Sequence, residues 1–365
     1  MRKLLMTTDA VGGVWDFSLQ LAGSLLDYGL EVALVTMGSL PSKAQKKEVE
    51  RVPNITLYES AYRLEWMEDA WEDIARAGKW LLDLEQQLQP DIVHLNGYVH
   101  GSLNWGTPVC IVGHSCVLSW WKAVHHEPAP QSWSKYRLAV QKGIQSCDFL
   151  VAPSFSMLKM LGRCYGRARA SSVIHNGRST TRFRPGVKEP IIFSAGRMWD
   201  AAKNIDAIIR CARDLPWQCV IAGEGSREIA LPANLTSLGQ VSSDQIAQEM
   251  ARASIYCSPA RYEPFGLSVL EAALAGCALI LGDIDSFREL WNGAALFVPP
   301  DDEAGLKRAL NGLINNDDLR EQLARAASER AQKYSLGEMV SAYLNLYKRL
   351  HRSGRHQKDL EVVRG

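Results

Sequence analysis

Ser258-Pro-Ala-Arg-Tyr-Glu-Pro-Phe-Gly-Leu-Ser-Val-Leu-Glu-Ala-Ala-Leu-Ala-Gly276 is the stretch on which the reading of this chain turns. It leaves a strand-like apolar run at 254–257, crosses a proline-containing loop and then becomes helical. Pro264 suits a helix start, so the amides near Gly266 and Leu267 should point outward as free donors that can receive an anion. Glu263 then stands at the helix mouth and Glu271 about two turns along it. Carboxylates so placed can grip vicinal hydroxyls at two separated points of one elongated ligand, while the helix start and nearby cations hold phosphates between them. A capped amphipathic helix with a solvated glutamate at each end would be spelled the same way. The neighbouring segments decide between the two.

Upstream, residues 191–194, 218–222, 235–238, 254–257, 278–281 and 295–298 read as short buried strands separated by helical periodicity. The first is followed by Ala195-Gly196-Arg197 and, six residues on, by Lys203. A glycine turn with a planar fork of donors and a compact point charge can cradle a diphosphate. Two ordinary surface cations would look alike. Ala222-Gly223-Glu224-Gly225 follows the second strand, as the edge of a nucleotide site or as a simple turn. Backbone there and around Gly239 to Val241 is where a base would be selected.

The first half repeats the rhythm, with strands at 3–8, 31–36, 55–58, 92–95, 109–112, 149–152 and 172–174 and helices at 17–28 and 70–88. The fold class is therefore α/β: two Rossmann-like, doubly wound domains with parallel sheets, facing a cleft at the carboxyl ends of their strands. The boundary falls in His175-Asn-Gly-Arg-Ser-Thr-Thr-Arg-Phe-Arg-Pro-Gly186, which has Asn-Gly and Pro-Gly turn signals. Gly12-Gly13 after the first strand would let backbone approach a ligand and open a helix toward an anion, or make a structural turn only.

Composition narrows the class. The chain has 365 residues, 47% hydrophobic and 22% charged, enough for two cores. A net charge of +1 gives no electrostatic case for nucleic acid. Its eight cysteines include no Cys-x-x-Cys, and Cys110, Cys219, Cys257 and Cys277 lie in apolar runs, which suits buried thiols in a reducing cytosol. The opening Met1-Arg-Lys-Leu-Leu-Met reads as a strand, and no run reaches the roughly 18 apolar residues of a membrane span. The expected location is cytoplasmic, compatible with peripheral contact at the inner face of the plasma membrane. A dehydrogenase is disfavoured because neither first strand is followed by G-x-G-x-x-G.

Taken in order, Gly12-Gly13, His175-Asn-Gly177, Gly196-Arg197 with Lys203, and Glu263-Pro-Phe-Gly266 with Glu271 resemble the retaining glycosyltransferases of family 4, the GT-B family also called group 1. The resemblance implies a hexosyltransferase acting without metal or cofactor, with a nucleoside-diphosphate sugar, UDP- or GDP-linked, as co-substrate. The acceptor would be a hydroxyl of a glycan, glycolipid or small molecule, as in bacterial polysaccharide or glycoconjugate synthesis. Residues 1–177 would bind the acceptor and 178–336 the donor, with a last helix, about 337–365, crossing back to the first domain. Arg197 and Lys203 would hold the diphosphate and stabilise the leaving group, Glu263 would contact the hexose and Glu271 the ribose. His114, in Gly113-His-Ser115, matches the place of a histidine beside the transferred sugar. Gly12, Gly13, Gly196, Gly223, Glu224, Gly225, Val241, Pro264, Phe265, Gly266 and Leu267 would complete the donor site. A nucleotide-sugar epimerase, a phosphorylase of the same shape and a non-catalytic sugar-nucleotide binder are the alternatives.

Several features stand outside the family pattern. Ala275-Gly-Cys-Ala-Leu replaces Gly-x-Pro-Val at the strand entry, and Trp15 and Asp16 follow the glycine pair. Trp120 and Trp121, with Tyr98, Trp105 and Trp133, suggest a stacking platform or core aromatics. Asp283-Ile-Asp285 looks like a metal motif but follows the wrong element, so a loop is expected there. Lys43, Lys46, Lys47 and Arg51, and Lys159, Arg163, Arg167 and Arg169, form two basic stretches that would meet anionic headgroups or simply water. No obligate protein partner is signalled.

Overall fold

The computed structural model describes residues 1–225 and 231–362, with side chains described to residue 354. Strands run β1 (Lys3–Asp9), β2 (Glu31–Met37), β3 (Ile55–Glu59), β4 (Ile92–Leu95), β5 (Val109–Val112), β6 (Phe149–Ala152) and β7 (Ser171–Val173) in the first half. The second half holds β8 (Glu189–Ala195), β9 (Gln218–Ala222), β10 (Leu235–Gly239), β11 (Ala253–Ser258), β12 (Ala278–Gly282) and β13 (Leu296–Val298). The order β3-β2-β1-β4-β5-β6-β7 makes one sheet and β10-β9-β8-β11-β12-β13 the other, and every pairing is parallel. Both orders reverse direction beside their first strand. Loops leaving β1 and β4, or β8 and β11, therefore diverge at the carboxyl edge and leave room for a ligand. These are the two parallel α/β sheets expected of two doubly wound domains.

The apolar runs are unbroken because helices cover both faces of each sheet. In the second sheet Ile191, Phe193, Tyr256, Leu279 and Leu281 pack into one core, while Ile192, Ile255, Cys257, Ala278 and Ile280 pack into another. Alternate side chains of a strand thus serve opposite layers. At the strand entry where the family proline is replaced, Cys277 Sγ donates to the carbonyls of Met250 (3.2 Å) and Ala253 (3.3 Å). Lys188 Nζ donates to those of Met250, Ala253 and Ala275.

The chain divides into two units, one of Met1–Ser119, Pro128–His175 and Glu338–Gly365, the other of Trp120–Glu127 and Asn176–Gly337. Two sequence expectations need amending. Trp120–Glu127, expected with the first half, groups with the second unit, and the break falls after His175. The helix expected at 17–28 begins at Gly13 and tightens into a 3-10 turn over Leu25–Tyr28. The last helix, expected at about 337–365, runs Leu336–Val362, and residues 363–365 lie outside those described. It buries Met339, Val340, Tyr343, Leu344 and Tyr347, and Arg349 covers the Phe149 ring of the first unit at 4.6 Å. None of the eight cysteines is in a disulfide, and seven of them are buried.

Candidate functional site

In the second unit the backbone is stitched together around glycine. Gly196 N donates to Ala222 O, Gly223 N to Gly239 O and Met198 N to Glu224 O, each at 2.9 Å. The turns after β8, β9 and β10 are thereby held edge to edge. Gly223 has a φ of 154°, and a Cβ there would lie 1.9 Å from Gly196 O, so no side chain fits at this closest approach.

The same stitching presents the cations. Arg197 Nη2 donates to Asp200 Oδ2 (2.9 Å), and its guanidinium lies 4.9 Å from the centre of the Trp199 ring. Asp200, buried, also accepts from the Ala202 amide (3.0 Å) and from Trp120 Nε1 (3.2 Å). Lys203 precedes the helix Ile205–Ala212, whose cap Asn204 is left-handed (φ 54°) and is tied to the carbonyls of Pro259 and Pro300. So held, Lys203 Nζ reaches Glu263 Oε2 at 2.5 Å. Sixty residues separate these two in the chain, and both side chains remain partly exposed, 25% and 17%.

The motif containing Glu263 departs from expectation in three ways. The helix begins at Leu267 and ends at Leu274, three residues after Pro264, so the proline shapes the approach and does not open the helix. The Gly266 amide is not free, because it donates to Glu263 Oε1 (3.2 Å). The amides that the helix start leaves without an intrahelical acceptor are those of its first positions, Leu267 and Ser268. Phe265 turns into the core, 3% exposed, with its ring against Tyr334 at 5.6 Å, so its part is to pin the loop. Gly266 itself must be glycine: its φ is 85°, and a Cβ would meet Phe287 at 2.9 Å. Ser286 Oγ donates to Glu263 O at 2.5 Å and fixes the loop from below.

Glu271 is in the second turn of this helix, nearer to Glu263 than two full turns, and is largely buried. Its Oε1 accepts from Arg178 Nε at 2.6 Å, and the Arg178 side chain is 3% exposed. Arg178 follows His175-Asn-Gly177, where a Cβ on Gly177 would lie 2.2 Å from Ser335 O. Glu224 is exposed, Gly225 is half-buried, and Val241 packs partly against the core. Asp283, in the loop after β12, takes both prongs of Arg288 at 2.6 and 2.8 Å.

In the first unit Gly12 caps the helix Gly13–Ser24 beyond β1, with Asp16 in its first turn. His114, beyond β5, is half-buried. Its Nε2 lies 2.8 Å from Asn96 Oδ1, and its ring meets Phe17 edge-on at 4.6 Å. Burial and the neighbouring His94 hold its pKa down at about 3. The proposed aromatic platform is not one surface. Tyr98 is a core residue, 4% exposed, Trp105 Nε1 donates to His100 O (2.8 Å), and Trp133 packs on Tyr136.

Sequence reasoning missed Asn96, Arg178 and Asp200. Arg178 had a signal, since an arginine inside a turn-rich linker followed by a buried helical carboxylate is a pair in waiting. Asn96 and Asp200 had none, because nothing local marks an amide or carboxylate that orients another residue.

The description "Glycosyl transferases group 1" matches residues 178–330, and "Glycosyltransferase Family 4" matches residues 11–182. The chain is 31% identical over 159 residues to the phosphatidyl-myo-inositol mannosyltransferase of Mycobacterium leprae, covering 41% of this chain and 42% of that one. It thus spans about two fifths of the length of that curated relative. Sucrose-phosphate synthase from Thermosynechococcus elongatus superposes over 97% of this chain and 100% of its own, with a TM-score of 0.81 and 17% identity. Anabaena HepE, solved in complex with UDP and glucose, superposes over 95% of this chain and 100% of its own, at 0.75 and 16%.

Proposed function

Because this chain belongs to the group 1, family 4 glycosyltransferases of the GT-B fold, we propose that it moves a hexose from a nucleoside-diphosphate sugar to a hydroxyl of a glycan, glycolipid or small molecule, with retention and without a metal. The observation that carries this reading is the Lys203–Glu263 pair at the mouth of the helix Leu267–Leu274, beside the stitched glycine turns. Breaking an anomeric carbon–oxygen bond to phosphate builds negative charge on the departing diphosphate and positive charge on the ring. Lys203, Arg197 and the first-turn amides stand where the negative charge would grow, and such preorganised charge lowers the barrier more than it aids ground-state binding. Glu263 orients Lys203 and offers its carboxylate to sugar hydroxyls. Retention then follows from same-face attack, with the departing phosphate oxygen taking the acceptor's proton, while His114 positions the sugar. Metal independence is supported by these two cations and by the engagement of Asp283 with Arg288.

A nucleotide-linked donor is supported by HepE, whose structure holds UDP and glucose. A glycolipid acceptor is supported by the name of the mycobacterial relative. For membrane contact, the helices Ser134–Ser146 and Phe155–Tyr165 pack side by side and carry no acidic residue. They expose Leu138 and Phe155 (65% each) among Arg137, Lys142, Lys159 and Arg163, the pairing of apolar anchors and basic charge that binds anionic headgroups. The other basic stretch is weaker, since Lys46 pairs with Glu59 at 2.6 Å.

The test is a panel of UDP-, GDP-, ADP- and TDP-sugars read by thermal shift, followed by turnover of Lys203→Ala. One donor should raise the melting temperature, and the variant should lose roughly 100-fold or more in kcat while keeping its fold. No shift with any donor, or undiminished turnover, refutes the proposal.

A further inference from the structure

In the first unit a closed chain of hydrogen bonds runs from the last helix to His114. Asn96, just beyond β4, sends Nδ2 to Thr7 O (2.7 Å) and Ser18 Oγ (3.0 Å), while its own amide N–H donates to Thr7 Oγ1 (2.9 Å). A carbonyl oxygen only accepts, so the Thr7 contact fixes which end of the amide is the NH2 group. Oδ1 must then face the two histidines, His94 Nε2 at 3.0 Å and His114 Nε2 at 2.8 Å. Oδ1 carries no proton, so both Nε2 atoms must. His94 Nδ1 is thereby left as an acceptor and takes the Tyr347 hydroxyl at 2.6 Å. Burial pushes that phenol well above its usual range, so the proton stays on Tyr347.

His114 differs from His94 in one respect: its Nδ1 meets no hydrogen-bonding group among the described residues, on a side chain that is only half-buried. No carboxylate bonds either ring among the described residues, and both rings are held neutral by burial.

We propose that Asn96 is a positioning residue that locks His114 in the Nε2–H tautomer and so presents Nδ1 outward as a hydrogen-bond acceptor only. This rests on the reading of His114 as a neighbour of the transferred sugar. A locked ring accepts from a ligand hydroxyl, cannot donate to a phosphate oxygen, and brings no positive charge to the leaving group. His94 and Tyr347 complete the lock by giving the second donor to Oδ1 a fixed tautomer of its own.

The test is long-range proton–nitrogen NMR of the full chain with 15N-labelled histidine, free of ligand, at about pH 7. His94 and His114, assigned by His94→Gln and His114→Gln, should each show a protonated Nε2 and a bare Nδ1. In Asn96→Asp the carboxylate should draw a second proton, so that both nitrogens of His114 become alike and kcat falls roughly tenfold or more with nucleotide affinity little changed. Tyr347→Phe should leave the His114 signals in place, because the Asn96 bond remains. A wild-type His114 protonated at Nδ1, a ring titrating near the ordinary 6.5, or His114 signals that follow Tyr347 and not Asn96 would overturn the assignment. If Asn96→Asp does not fold, the wild-type and Tyr347→Phe spectra still decide. The tautomer is read without substrate, so it fails separately from the transferase reading, which falls with the donor panel.

Discussion

Arg178 and Glu271 show what a single residue can be asked to do twice. Their ion pair is almost dry, and the Glu271 carboxylate proposed to meet a ribose is also the partner that permits an arginine in the core. Removing one member takes the opposite charge away from its buried partner, which costs about 3–5 kcal/mol, whereas replacing both with apolar residues costs much less. Arg178→Met should therefore lower the melting temperature sharply, and Arg178→Met with Glu271→Leu should recover much of the loss. Calorimetry on the two proteins checks this, and a double variant less stable than the single one would contradict it. Glu263 and Lys203 could be singled out because glycine and proline mark their loops, and the structure brings them within 2.5 Å. Asp200 and Asn96 carry no local signature, since their work is defined by residues 80 and 18 positions away.

At the scale of elements, the strands were readable because a parallel sheet buried on both sides leaves an unbroken apolar run, as in Ile191–Phe193 and Ala278–Leu281. Helix ends were less so. Pro264 looks like a helix start, but Gly266 takes the cap in a left-handed conformation, with Glu263 accepting its amide. That cap is the joint between the carboxylate and the helix. Gly266→Ala would force a β-carbon into the Phe287 ring and strain the backbone by about 1–3 kcal/mol. It should lower stability by that order and shift Glu263 away from Lys203. Loss of donor affinity beyond the loss of stability, followed by titration calorimetry, is the expected sign, and unaltered donor binding would argue that the cap does not set the site.

For the molecule as a whole, acid sensitivity follows from the buried His94 and the half-buried His114. Their folded pKa values, about 4 for His94 and about 3 for His114, lie below the 6.5 of an unfolded histidine. Their neutral burial is costless above pH 6.5 and progressively unfavourable as pH falls toward 4, because the unfolded chain then binds the extra protons. The melting temperature should drop over that window, with a shallower slope in His94→Gln; equal slopes would assign the effect elsewhere. The two-sheet architecture was legible because the same strand rhythm is written twice, whereas the membership of Trp120–Glu127 in the second unit was not, since composition does not record which neighbour a short helical turn chooses. The placement of Tyr343 and Tyr347 on the first unit also has a consequence during synthesis. Residues 176–337 leave the ribosome before the helix that finishes the first unit, a delay of about 10–30 s at ordinary elongation speeds. Until that helix emerges, Phe17 and His94 lack the tyrosine rings that pack on them, so the first unit completes its core only after the second has been made.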